Sequence, residues 1–477
     1  MSILYQPADG TAGDFIPFYR EGVFHLFHLQ QRPEGLGGSS GIPWRQVVTA
    51  DFVNFEDWGE ALPAGEMNDP DWSVFTGCVL ERKEEFHIFY TGHNGRFEKS
   101  GKPVETILHA TSRNLRTWVK DNSFSFPPPV AHGYAPNDWR DPFVFWNAAT
   151  RDYWMLIAAK RRALPARHGG CVALAVSRDL KEWTLRQPLW APDRYGMCEC
   201  PDLFRIGSWW YLLFSTFTDR RVTHYRMARS LEGPWMAPAD DTLDGPAWYA
   251  GKTACDGRRR FAFGWLSGRL DNRDDRGWSW GGTLVVHQIE QRRDGTLAVH
   301  APDSLLRAFP LEVASTPEPV IGTWVDAERE TQCVSPTRWS ATRWSDLPDT
   351  ALVEWEFILE RNTQECGLLL RMDRALERYY QLRFEPGHQR MLLDYWPRDP
   401  GSPSFLVERS LSITPGKVLK LRLIVDGPCV VVYVNDETAM SGYMCQGRTG
   451  GGLGFFVAEG SARFRRIIVR RPKTLWE

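Results

Sequence analysis

At 477 residues the chain exceeds one ordinary hydrophobic core, which predicts two or three domains. A formal charge of -2, from 57 basic and 59 acidic residues, gives no global attraction for nucleic acid or an anionic membrane surface. No apolar run approaches the ~20 residues of a membrane span, and the opening MSILYQPADG lacks the basic flank and apolar core of a secretion signal. The nine cysteines are odd in number and scattered, which suits reduced thiols and a cytoplasmic location. Cys198 and Cys200 have no partner pair at zinc-site spacing, so no metal is expected. The 22 Trp, 14 Tyr and 26 Phe, with 41 Gly and 32 Pro, predict an all-β chain with many turns. They also make sugar a candidate ligand, because aromatic faces stack on sugar rings.

In chain order, four aromatic runs are each followed by a strand, a small polar stretch and a hydrophobe with an aromatic. VFHLFHLQ (23–30) precedes VVTADFVNF (47–55), and EFHIFYTGH (85–93) precedes LHATSRNLRTW (108–118). DYWMLIAAK (152–160) precedes ALAVSRDLKEW (173–183), and SWWYLLFST (208–216) precedes YRMARSLEGPW (225–235). A fifth run, RRFAFGWLSG (259–268), leads to GTLVVHQIEQRRDGTLAV (282–299), a strand pair around an Asp-Gly hairpin turn. Five aromatic strands, each opening a unit of about 50–65 residues, predict a five-bladed β-propeller. After TPEPV (316–320) the texture changes to period-2 strands such as ALVEWEFILE, RYYQLRFEP and CVVVYVND, which predict a C-terminal β-sandwich. The expected domains are residues 1–312, the propeller carrying the chemistry, and 320–477, the sandwich, for which packing, stability and dimerisation are the roles considered.

Propeller strands begin near the central axis, so polar motifs on successive innermost strands converge there. Asp14 (in AGDFIPFYREGVFHLF), Asp141 (in NDWRDPFVFW) and Glu199 (in MCECPDLFRIGSWWYLLF) each precede the centre of an aromatic run by a similar interval. Such a cluster suits a glycosidic bond. One carboxylate must be ionised to attack the anomeric carbon or activate water, and another must hold a proton for the leaving oxygen. Glu199, flanked by cysteines, is expected to be the acid, and Arg140 is expected to keep Asp141 ionised.

These motifs, in their order, resemble glycoside hydrolase family 32, the β-fructofuranosidase, levanase and inulinase family. HLFHLQ (25–30) is similar to that family's HLFYQ, and WRQVVTADFVNFEDW (44–58) to its WGHAVSxDLVHW. FTGC (75–78) stands for FSGS, WRDPFVFW (139–146) contains RDP, ECPDLF (199–204) is unchanged, and GWSWGGTLVVHQIEQRRDGTL (277–297) resembles the fifth-blade segment. The resemblance implies Asp14 as nucleophile, Asp141 as transition-state stabiliser and Glu199 as general acid/base. It also implies that Gln30, Trp44, Phe75, Thr76, Arg140 and Trp278 line the sugar subsite. It further implies a retaining hydrolase of β-fructofuranosides or similar furanoside oligosaccharides, working by double displacement or by intramolecular fructosyl transfer. No cofactor is needed. The expected partner is a small oligosaccharide, with no nucleic acid and no membrane, and a homo-oligomer stays open.

GEMNDPDW (65–72) imitates the family's NDPN, but it follows HLFHLQ instead of preceding it, so Asp69 is expected on the loop between the first and second blades. At the nucleophile's place the chain reads GTAGDFIPF, without the two Asn residues of the family motif. Two other readings remain: an inverting arabinofuranosidase- or xylosidase-like propeller enzyme, and a non-catalytic carbohydrate-binding protein on the same scaffold. Among the tryptophans, Trp72 and Trp139 are read as sugar platforms and Trp209 as core.

Overall fold

The aromatic runs form the second strand of each blade, with a polar inner strand before them. The computed structural model describes residues 2–31, 41–327, 330–398, 401, 405–445 and 450–473. Blade I comprises Thr11–Arg20, Val23–Gln31, Trp44–Thr49 and Glu56–Leu62. Blade II comprises Ser73–Arg82, Glu85–His93, Glu105–Ser112 and Val119–Lys120. Blade III runs Tyr134–Asn147, Asp152–Arg161, Gly170–Ser177 and Thr184–Leu185; blade IV runs Glu199–Ile206, Trp209–Thr216 and Val222–Ala228. Blade V is Trp248–Cys255, Arg260–Arg269, Trp278–Gln291 and Leu297–His300. The expectation that an aromatic strand opens each unit is therefore corrected by one strand. The second strand lies between two neighbours and is buried on both faces: in Val23–Gln31 and Glu85–His93 every residue but the first and the last is buried. That position selects aromatic and aliphatic side chains.

The propeller closes where blade V meets blade I, through the pairing of Ala12 with Gly282. The Leu284 amide also donates to the Tyr5 carbonyl at 2.8 Å, so the N-terminal segment overlaps the closing seam. All remaining long strands belong to the sandwich. Its two layers are tied by Gly452–Arg471, whose first half pairs with Glu365–Met372 and whose second half pairs with Thr350–Leu359. Helix is confined, among the described residues, to Asp303–Arg307 and short 3-10 turns.

The two domains share a core. Tyr211, Trp248, Val285 and Ile289 of the propeller cluster with Leu352, Ile424, Val431 and Tyr433 of the sandwich. Within that contact, His287 Nε2 lies 2.9 Å from Asp244 Oδ2 and its Nδ1 lies 3.0 Å from the Tyr433 hydroxyl. Ser441 donates from its hydroxyl and its amide to Asp244, both at 2.6 Å.

Candidate active site

Each inner strand is interrupted by a β-bulge at the same height. The register slips between Gly13 and Ile16 in blade I, between Phe75 and Gly77 in blade II, and between Glu199 and Asp202 in blade IV. It slips between Arg140 and Phe143 in blade III, and between Tyr249 and Lys252 in blade V. Asp14 (φ 49°), Asp141 (φ 57°), Cys200 (φ 49°) and Ala250 (φ 54°) occupy left-handed backbone there. None is glycine, so each costs on the order of 1 kcal/mol or more, a strain typical of functional sites. A bulge re-aims side chains. Here five bulges turn polar groups from five blades towards one axial cavity of about 610 Å3.

Asp14, Asp141 and Glu199 all line that cavity. The two oxygens of Asp14 each accept a hydrogen bond: Oδ2 from the Thr76 hydroxyl at 2.6 Å and Oδ1 from Trp265 Nε1 at 3.1 Å. Burial pushes the Asp14 carboxyl above its usual range, against the lowering effect of the Thr76 and Trp265 donors. Asp141 is 4% exposed; its Oδ2 accepts from the Cys200 amide at 2.9 Å, and its own amide donates to Thr91 Oγ1 at 2.8 Å. Burial drives its carboxyl up to about 7, with Glu199 and Asp14 adding to the rise and Arg140 opposing it.

The expectation that Arg140 keeps Asp141 ionised is thus corrected, since burial outweighs the guanidinium. Arg140 spends its hydrogen bonds elsewhere. Nη2 donates to Glu199 Oε1 at 2.9 Å, and Nη1 lies 3.3 Å from Glu105 Oε2. Glu199 is therefore not isolated from charge, as its cysteine neighbours suggested. Both cysteines are buried, and the carboxylate swings to Arg140 and to the Tyr249 hydroxyl, which donates to Oε2 at 2.7 Å.

Phe75, Thr76, Arg140 and Trp278 also line the cavity. Gln30 and Trp44 are not among its lining residues. Successive strand residues face opposite sides, so Leu29 occupies the lining position while buried Gln30 donates to Asp9 Oδ1 at 2.6 Å. Trp44 is wholly buried and donates from Nε1 to the Phe75 carbonyl at 3.0 Å, which makes it a support behind the wall. Asp69 is exposed on the segment between blades I and II, where its carboxylate accepts from the Glu66 amide at 2.9 Å. Trp139 is not a platform: it is fully buried and bonded to the Phe126 carbonyl. Trp72 is half-buried under the Arg96 guanidinium, 4.0 Å from its ring centroid.

Sequence reasoning missed Glu105, Arg221, Tyr249, Trp265 and Trp280, which line the same cavity. Tyr249 had a signal. It stands twelve residues before Phe261 of the fifth aromatic run, within the spacing that singled out the three carboxylates. Arg221 had none. Its guanidinium lies over Tyr249, Trp265 and Trp278 at 4.8, 5.1 and 5.7 Å, and burial lowers it to about 10.

Residues 10–299 match the family described as glycosyl hydrolases family 32 N-terminal domain, and residues 325–470 match glycosyl hydrolases family 32 C terminal. Among curated proteins, the chain is 28% identical over 281 residues to a levanbiose-producing levanase of Bacillus subtilis, covering 53% of this chain and 49% of that protein. It therefore spans about half the length of that relative. It is 25% identical over 421 residues to a sucrose-6-phosphate hydrolase of Escherichia coli, covering 83% and 79% of the two chains. Among solved structures, fructan 1-exohydrolase IIa from Cichorium intybus superposes with a TM-score of 0.77 at 17% identity, over 99% of this chain and 97% of that one. That likeness concerns the fold: a propeller followed by a sandwich.

Proposed function

The chain belongs to glycosyl hydrolases family 32, and from that membership we propose that it is a retaining hydrolase of β-fructofuranosides, acting on short oligosaccharides by double displacement. The observation that carries this reading is the convergence of Asp14, Asp141 and Glu199, from the inner strands of blades I, III and IV, on one cavity.

In the proposed first step Asp14 attacks the anomeric carbon while Glu199 protonates the departing oxygen. A nucleophile must be ionised and aimed. Thr76 and Trp265 aim it, and because each donates to one carboxylate oxygen they favour its charged form against the opposing effect of burial. In the second step Glu199 takes the proton of an incoming water, which releases the sugar from Asp14 with net retention. Glu199 is held by Arg140 and Tyr249 on separate oxygens, so its orientation is fixed before substrate arrives. Asp141, in the wall between them, is assigned to the sugar hydroxyls. With a pKa of about 7 it can accept or donate a hydrogen bond near neutrality. Phe75, which stacks on His93 at 4.3 Å, and Trp278 offer ring faces to the sugar.

We also infer a reducing, cytoplasmic setting. No disulfide joins the described cysteines, and all but Cys255 are buried, an arrangement that does not depend on disulfides. The test of function is hydrolysis of sucrose, inulin- and levan-type oligosaccharides and aryl arabinofuranosides, with the first-formed anomer read by NMR. Release of β-fructose, abolished by Asp14→Asn and by Glu199→Gln, is the expected result. Inversion of configuration would overturn the double-displacement reading, and turnover of arabinosides alone would overturn the β-fructofuranoside reading.

A further inference from the structure

Trp278 belongs to two parts of the molecule at once. It lines the axial cavity, and it also packs against the hydrophobic cluster of the sandwich. It follows the segment that connects the second and third strands of blade V, and that segment is fastened to the sandwich at both ends. At one end, Arg269 Nη2 donates to the Leu406 carbonyl at 2.9 Å. Near the other, Asp274 is 5% exposed and accepts from the Tyr380 hydroxyl at 2.8 Å and from the Cys445 amide at 3.3 Å. Leu406, Tyr380 and Cys445 all belong to the sandwich side of the chain.

The Arg269 guanidinium is also the plate on which Trp278 rests, with its carbon 3.4 Å from the ring centroid. Its Nη1 donates to the Arg276 carbonyl at 3.1 Å, which closes the connecting segment on itself. One cation thus meets the indole, the connecting segment and the sandwich. Its planar fork allows this, since donors along the edge leave the face free for stacking.

We propose that the sandwich domain positions the cavity face of Trp278, with Arg269 and Asp274 as the positioning residues; this rests on the reading of the cavity as a furanoside site. The sandwich then has a part in substrate binding although, among the described residues, none of its own lines the cavity. A ring that contacts sugar in both the bound and the reacting state contributes uniform binding. Releasing it weakens KM far more than kcat.

The test compares wild type with Arg269→Ala and Tyr380→Phe, the second keeping the buried ring and removing only the hydroxyl. Arg422→Ala serves as a control, because Arg422 pairs with Glu354 and Asp436 at a separate cleft of the sandwich. Two quantities are measured: Michaelis parameters on a fructo-oligosaccharide, and amide hydrogen exchange of residues 269–278. The expected result for both variants is a KM raised about tenfold with kcat changed by less than about threefold. Exchange in the segment should also be about tenfold faster, with neither change in Arg422→Ala. A loss of kcat at unchanged KM overturns the proposal, and so does faster exchange with unaltered KM. If wild type cleaves no furanoside, the hydrolase reading falls, and the exchange measurement alone decides: unchanged exchange in both variants overturns the tether, and faster exchange upholds it.

Discussion

The Thr76 hydroxyl, from blade II, donates to Asp14 Oδ2, from blade I, across 2.6 Å. The two residues occupy the bulges of neighbouring inner strands, so the bond spans the gap between blades and fixes the carboxylate from outside its own sheet. Burial raises the Asp14 carboxyl, and the Thr76 donor is the largest influence holding it down. Thr76→Val keeps the shape and deletes the donor. A hydrogen bond to a charged group contributes about 1.5–3 kcal/mol, so kcat/KM should fall roughly 10- to 100-fold. The lost donor had favoured the ionised form. The acidic limb of the kcat/KM–pH profile should therefore move to higher pH, and a limb that stays in place would count against Asp14 as the ionised nucleophile.

Asp141 predicts a trade of stability for function. Its carboxyl rises from 3.8 to about 7 on folding, so the folded protein holds a proton that the unfolded chain releases. Between those values, stability falls as pH rises, and the whole penalty is present above about pH 7. The shift corresponds to at most about 4 kcal/mol. Asp141→Asn removes the titration and keeps an acceptor for the Cys200 amide. The variant should be inactive, yet more resistant to urea than wild type at pH 8, with the advantage shrinking towards pH 4. A variant less stable than wild type at pH 8 would refute the assignment.

Asp69 carries the sequence most like the family's nucleophile motif and should contribute nothing to catalysis. It is exposed, and its carboxylate only caps a local turn at the Glu66 amide. Asp69→Ala should leave kcat/KM within about twofold and cost no more than about 1 kcal/mol. Steady-state kinetics beside Asp14→Asn make the comparison, and a loss in the Asp69 variant would reverse the register argued here.

Which parts of this were legible follows from range. The propeller and the sandwich were readable because repetition and period-2 alternation are local signals, repeated five times in the first case. The three carboxylates were readable because each sits on the inner strand of its blade, so equal spacing maps onto equal height. What a side chain does after leaving the backbone was not readable. Arg140 stands beside Asp141 in sequence but reaches to Glu199 and Glu105, contacts 59 and 35 positions away along the chain. Gln30 was mistaken for Leu29 because a one-residue slip in a strand exchanges the cavity face for the core face. Trp139 looked like a platform from its neighbours, yet its side of the strand is core.

The contact between the domains predicts the opposite pH behaviour to Asp141. Asp244 and His287 both have wholly buried side chains, paired at 2.9 Å, with Ser441 of the sandwich bound to the same carboxylate. Burial raises the Asp244 carboxyl, but His287, Arg409 and Ser441 outweigh it and hold the group below its usual 3.8. A carboxylate depressed in this way stabilises the fold at every pH above its unfolded value and loses that contribution only as pH falls through the folded one. Asp244→Asn places an amide donor among groups that donate, and losing a hydrogen bond to a buried charged group costs roughly 1.5–3 kcal/mol. Urea unfolding should therefore show this deficit at pH 8 and, undiminished, at pH 5. Over the same interval the gain from Asp141→Asn should shrink. Equal pH dependence of the two variants would mean that one of the two carboxylates is not in the charge state its surroundings impose.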